Sequence, residues 1–98
     1  MAEIIWTGEA ETWLQDIYNH IAQDSPEAAI RVVQGILERT QQLLAFPTSG
    51  QRYRIERDGD IRILLYGHYR IAYQVRNDNR ITILGVFHGA LDLERYLP

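Results

Sequence analysis

Ninety-eight residues is the length of one small domain, short enough that only somewhat more than half of the unfolded surface can be buried, which excludes a second independent core. An apolar fraction of 46% against 23% charged excludes a disordered tail, and without cysteine the chain can form neither a disulfide framework nor a thiolate metal site. Net charge is −3, but residues 1–50 carry two arginines against seven carboxylates, residues 51–98 carry eight against six, and all ten cations are arginine.

Glu3-Ile4-Ile5-Trp6 is a short β-branched and aromatic run that reads as a strand. Thr7-Gly8 behind it supplies an N-cap, with Glu9 and Glu11 in the first turn, where the helix dipole favours anions. Ala10, Leu14, Ile17, Tyr18 and Ile21 then recur on one helical face, while Glu11, Gln15, Asp16 and Asn19 take the other. Asp24-Ser25-Pro26-Glu27 breaks and restarts the chain: Ser25 caps, Pro26 suits the first helical position and Glu27 suits the dipole. The second helix has the predicted stripe Ala29, Val33, Ile36, Leu37, Leu43 and Leu44, with Val32 at its margin, and stops at Phe46-Pro47-Thr48-Ser49-Gly50. Two helices joined by so short a turn pack antiparallel.

From Gln51 the apolar period changes to two. Tyr53 and Ile55 alternate with Arg52, Arg54 and Glu56, and Asp58-Gly59 signals a tight turn. A strand over 61–66, a two-residue turn at Gly67-His68, a strand over 69–75, a loop at Asn77-Asp78-Asn79 and a strand over 80–88 complete an antiparallel meander. In the last strand the alternation puts Ile81, Ile83 and Phe87 on one face and Leu84 and Val86 on the other. A strand apolar on both faces belongs in a sheet interior, so the strand at Ile4–Trp6 is expected along its free side. The predicted fold is α+β, βααββββ, with a helical hairpin on one face of a twisted antiparallel sheet, in a single domain over 1–98. Leu91–Leu97 is too short for an independent helix and is expected to dock as one turn beside the end of the last strand.

No run approaches the roughly 18 apolar residues of a membrane span. The Met1-Ala2-Glu3 start lacks the cationic and apolar regions of a signal peptide, so a cytoplasmic location is expected. Phosphate-loop, nucleophile-elbow and His-Glu-x-x-His patterns are missing from the sequence. His20, His68 and His88 stand far apart on different elements, so neither a metal nor another cofactor is expected.

The absence of lysine reads first as codon bias, which leaves the positions of the arginines to carry the argument. Arg70 shares a predicted sheet face with Ala72 and Gln74, where it would meet a phosphate or an acidic partner, or else pair with Glu56 or another nearby carboxylate. Arg52, Arg54 and Arg62 on neighbouring strands would extend a concave cationic patch, although exposed strands also carry arginine for solubility and edge protection. Histidine is the residue type whose unperturbed ionisation lies near neutrality, so His88 could act as an acid or base, but a capping hydrogen bond explains it as well, and Asp92 suits the cap of the last turn. Trp6, Trp13 and Tyr18 read as core or core-edge residues.

Trp6 and Ala10, Leu14 with Ile17-Tyr18, Ser25-Pro26 with Ala28-Ala29, Leu44 with Phe46-Pro47 and Gly50, Tyr69-Arg70-Ile71 with Tyr73, and Val86-Phe87-His88-Gly89 follow one another in an order that resembles the RelE/ParE toxins of bacterial type II toxin-antitoxin systems. RelE-like members are ribosome-dependent mRNA endonucleases, and ParE-like members, the plasmid stabilisation proteins, inhibit DNA gyrase. Arg70 matches the strand arginine of the nuclease branch, and that branch implies Arg70, His88 and Tyr96 as catalytic candidates. Gly89-Ala90-Leu91, however, stands where that branch has a further basic residue, and the chain is net acidic. The His-Gly…Asp ending is similar to the ParE side.

The resemblance therefore implies a ParE-like gyrase inhibitor. A cognate antitoxin would hold it inactive, its C-terminal segment wrapping the sheet and hairpin and its acidic groups meeting Arg52, Arg54 and Arg70, with Arg62 in the same binding patch. The alternatives are a RelE-like nuclease acting on ribosome and mRNA, and a non-toxic binding module or homodimer of the same fold.

Overall fold

A computed structural model describes residues 2–97; Met1 and Pro98, the two ends of the domain expected over 1–98, lie outside the described residues. In chain order the elements are β1 (Glu3–Trp6), α1 (Gly8–Ala22), α2 (Pro26–Gln41), β2 (Gln51–Arg54), β3 (Gly59–Tyr66), β4 (Tyr69–Arg76) and β5 (Arg80–His88), with short 3-10 turns at Gln42–Leu44 and Leu93–Arg95. Both helices start where the sequence punctuates them. Thr7 Oγ1 accepts the Ala10 N–H at 3.0 Å, and Ser25 Oγ accepts the Ala28 N–H at 3.2 Å, each satisfying a donor that the first helical turn would leave orphaned.

The strands form one sheet in the order β1-β5-β4-β3-β2. Strands β2 to β5 are the expected antiparallel meander, and β5 lies inside the sheet with β1 along its free side. β1 runs parallel to β5, Ile4 beside Ile81 and Trp6 beside Ile83, so the sheet is mixed where a purely antiparallel one was expected. The cause is topological: the helical hairpin delivers the chain to the far edge running opposite to β1, and three successive reversals return β5 to the direction of β1.

The helices cover one sheet face. Ala10, Ile36 and Leu43 pack there against Leu64, Ile71, Tyr73, Ile81, Ile83 and Val86. The stripe of α2 is rotated from the predicted one: Ala29, Ile36, Thr40 and Leu43 are buried, whereas Leu37 and Leu44 are 40% and 43% exposed. The rotation follows from a close crossing at Gly35, where a Cβ would stand 1.8 Å from the Tyr66 hydroxyl, so α2 must present this glycine to β3. Thr40 tolerates burial because its hydroxyl donates to the Leu37 carbonyl at 2.7 Å.

The opposite face carries a second, smaller core of Ile61, Ala72 and Phe87, closed by Leu93 and Leu97 of the C-terminal segment. That segment docks as expected, with Asp92 Oδ1 accepting the Glu94 N–H at 3.2 Å. Phe87 reaches this face because Ala72 pairs with Gly85 while Tyr73 pairs with Ile83, leaving Leu84 as an unmatched bulge residue. One extra residue exchanges the faces of everything beyond it. Phe87 thus parts from Ile81 and Ile83, and Val86 joins them, the reverse of the period-two expectation.

Candidate functional site

The four arginines expected at a binding site are distributed by strand parity and by a second irregularity. Arg52 stands beside Arg62, and Arg62 beside Tyr73, which places both on the helix-covered side. Arg70 stands between Leu65 and Phe87, on the other face with Ala72 as predicted. Between Arg52 and Arg54 the register slips, leaving Tyr53 unmatched and setting Arg54 beside Ile61. The single-faced cationic patch expected from sequence is therefore divided between the two faces of the sheet.

Arg62 is occupied structurally. Only 12% of its side chain is exposed, and its Nη1 donates to the carbonyls of Thr48 at 3.1 Å and Gly50 at 2.7 Å. Tyr73 ties down the same loop, its hydroxyl donating to the Pro47 carbonyl at 2.8 Å while accepting the Gly50 N–H at 2.9 Å. Gly50 fits only without a side chain, since a Cβ would lie 2.7 Å from that hydroxyl and 2.8 Å from the Ile63 carbonyl. Burial raises the Tyr73 pKa above the ordinary 10.0, with the Gly50 hydrogen bond and then the Arg62 charge partly opposing it. Arg54 Nε lies 2.6 Å from Glu56 Oε1, and the guanidinium sits 5.9 Å from the Tyr53 ring centre.

Arg70 forms none of the carboxylate pairs found among the described residues. Its Nη2 donates to the Leu91 carbonyl of the C-terminal segment, and its buried Nε has no partner among the described residues. Arg52 Nε contacts Asp60 Oδ2 at 2.9 Å. Arg39, whose place in the last turn of a helix, where a cation suits the dipole, gives no sequence signal of a binding role, reaches across to β3 and donates from Nε to the Leu65 carbonyl at 3.2 Å. Arg39, Arg52 and Arg70 come together around a cavity of about 510 Å³ whose other walls include Gly50, Leu64, Leu65 and Leu93. The cavity exists because β2 pairs only with Ile61–Ile63 of β3 and leaves the strand's second half uncovered.

The three nuclease candidates do not share a face. His88 stands beside Tyr69 on the helix side, with its ring edge-on to that tyrosine at 5.9 Å and its Nδ1 accepting the Ala90 N–H at 3.3 Å. It opens into a cleft of about 260 Å³ that also contains His20 and Asp16. Arg70 lies across the sheet from it. Tyr96 stacks on Phe87 at 5.8 Å and meets Trp13 edge-on at 5.1 Å, so its ring is committed to the aromatic closure of the second core.

Between α1 and α2 runs an apolar groove of about 440 Å³ lined by Trp6, Leu14, Tyr18, Val33 and Leu37. The sequence signal for it was the surplus of apolar residues on α2, more than one stripe can bury. Among the described residues, no helix is long and apolar enough to cross a membrane.

A family model described as "ParE toxin of type II toxin-antitoxin system, parDE" matches residues 4–93. A protein of Sinorhizobium fredii (strain NBRC 101917 / NGR234) named "Putative toxin Y4kP" is 35% identical over 86 residues, covering 88% of this chain and 86% of that protein. A chain solved in the "Chromosomal ParDE TA system from P. aeruginosa" superimposes with a TM-score of 0.73 at 25% identity, covering 90% of this chain and 96% of that one.

Proposed function

The chain belongs to the ParE toxin family of type II toxin-antitoxin systems, and from that premise we propose that it is a single-domain cytoplasmic toxin that inhibits DNA gyrase until a cognate antitoxin sequesters it. The observation that favours this reading over ribosome-dependent RNA cleavage is the separation of Arg70 from His88 on opposite sheet faces. Metal-free cleavage of RNA needs a base, an acid and a cation converging on one phosphate within hydrogen-bond reach. A guanidinium and an imidazole divided by a sheet cannot meet that demand, and a protein that blocks its target by binding does not face it.

The antitoxin segment has two surfaces to use. An amphipathic stretch fits the groove between α1 and α2, whose exposed Leu37 gives it an apolar floor. Acidic side chains meet Arg52, Arg54 and Arg70, of which Arg52 has the more exposed side chain, 54% against 34% for Arg54.

Purified protein added to gyrase and relaxed plasmid is expected to abolish supercoiling, and co-purified antitoxin to restore it. Cleavage of mRNA on stalled ribosomes with supercoiling intact would transfer the protein to the nuclease branch. Normal growth despite abundant induced protein would leave it a binding module or homodimer of the same fold.

A further inference from the structure

The cleft beside His88 has a composition that neither gyrase inhibition nor capture by an antitoxin uses. β1 accompanies β5 only as far as Ile83, while α1 packs on β5, and between α1 and the free end of the β4–β5 pair lies a space of about 260 Å³. Its walls include Trp13 and Ile17 from α1, Tyr69 from β4, and Val86 and His88 from β5. The Tyr69 and His88 rings stand at 89° to each other and make a corner. Trp13 is held in place by Phe87, edge-on at 4.8 Å, and by Tyr96 at 5.1 Å, so this wall is fixed by packing before any guest arrives.

Asp16 supplies the charge. It lines the same cleft, is exposed, and belongs to none of the ion pairs formed among the described residues. Arg70, next to Tyr69 in the chain, lies across the sheet and does not neutralise it. A carboxylate set among aromatic rings attracts an organic cation twice, through its own charge and through the negative faces of the rings. Size decides what carries that cation. The volume falls below the roughly 300 Å³ at which pockets for free drug-sized ligands begin, so it suits one side chain projecting from a larger partner, and a flat, weakly hydrated guanidinium stacks on aromatic rings better than an ammonium does. We propose that this cleft receives an arginine side chain of a partner protein, its guanidinium against the Tyr69 and Trp13 rings and paired with Asp16. Two histidines face the same guest. His88 Nδ1 accepts the Ala90 N–H at 3.3 Å, a bond open only to an unprotonated nitrogen, and His20 lies one turn beyond Asp16 on α1. Uncharged, they leave the cleft to the guest; protonated, they repel it and compete for Asp16.

The probe is an end-capped Gly-Arg-Gly peptide, titrated into the isotope-labelled full chain and followed by the NMR shifts of amides, the Trp13 indole and the histidine rings. Saturable binding in the millimolar range is expected, on the order of what one charged side chain can supply, with the largest shifts at Trp13, Asp16, Tyr69 and His88. The same peptide with citrulline in place of arginine keeps the shape without the charge and should not saturate. Asp16→Asn should weaken binding about threefold, the loss of one exposed ion pair. Tyr69→Leu should weaken it by about threefold or more through loss of the ring face, whereas Tyr69→Phe, which keeps that face, and Asp58→Asn, at the opposite end of the β3–β4 hairpin, should leave it unchanged. Acidification from about pH 8 to about pH 5 should weaken it as the histidines gain charge. Thermal melting checks that each variant is folded, and if Tyr69→Leu is not, Asp16→Asn on the exposed side of α1 decides. Absence of saturable shifts at these residues, equal binding of the citrulline peptide, or unchanged affinity in Asp16→Asn each overturns the proposal. Equal binding of spermidine overturns it as well and gives the cleft to free polyamines. Growth arrest plays no part in this measurement, so its failure leaves the toxin reading untouched.

Discussion

The two faces of the sheet are closed in very different ways. On one, two helices lay Ala10, Leu14, Ile17, Ile36 and Leu43 over the strands and leave the core at essentially zero exposure. On the other, a terminal segment with a single 3-10 turn closes a patch built on Ile61, Ala72 and Phe87. The first has the long, capped elements that resist opening; the second is held by a few leucines, an aromatic triad and one arginine-to-carbonyl bond. Stability is concentrated where the helices lie, and the guanidinium available for binding lies under the lighter cover.

Substitutions can break that contrast at decreasing cost. Ile83→Ala, in the helix-side core, is expected to cost about 2–5 kcal/mol by transfer and cavity terms together, enough to unfold a domain this small, and thermal melting reads it directly. Leu93→Ala is expected to cost about 2 kcal/mol or somewhat more by the same terms, and hydrogen exchange should localise the loss to the C-terminal segment and the Ala72–Phe87 face while the helices stay protected. Equal loss of protection on both faces would show them to be one cooperative unit. Tyr73→Phe removes a hydroxyl that satisfies Gly50 and accompanies Pro47, about 1–2 kcal/mol for bonds of this kind with one buried donor left unpaired.

The same tyrosine gives a pH signature. Its folded pKa is raised, so at alkaline pH the native state holds a proton that the unfolded chain has released. Its contribution is fully present below about pH 10 and falls as pH rises beyond that. Denaturation midpoints measured on either side of pH 10 should show a decline that Tyr73→Phe removes. Thr7→Ala, which deletes the cap of α1, is expected to cost about 1 kcal/mol, seen as a small drop in melting temperature with both faces otherwise intact.

Most of the framework could be read from local signals with a fixed meaning: Thr7 and Ser25-Pro26 start helices, Gly67-His68 turns a hairpin, and the apolar run from Ile81 to Phe87 belongs between two strands. What escaped depends on contacts made at a distance. The bulge at Leu84 has no sequence signature beyond a glycine that makes room, since a Cβ on Gly85 would fall 2.3 Å from the Phe87 ring. The rotation of α2 is set by Tyr66, more than thirty positions later in the chain, filling the space beside Gly35. The arginines followed the same rule. Their number in the second half was visible, but which face each takes depends on a register slip at Tyr53, and Arg39 joins Arg52 and Arg70 only because β2 is shorter than β3.

The pairing of β1 with β5 joins nearly the first residues of the chain to nearly the last. During synthesis the amino-terminal strand therefore waits, unpaired, until β5 has been made, and the contact that completes the sheet is strongly non-local in sequence. A polypeptide interrupted before β5 lacks the strand that both β1 and β4 pair with, and so has no means of assembling the sheet.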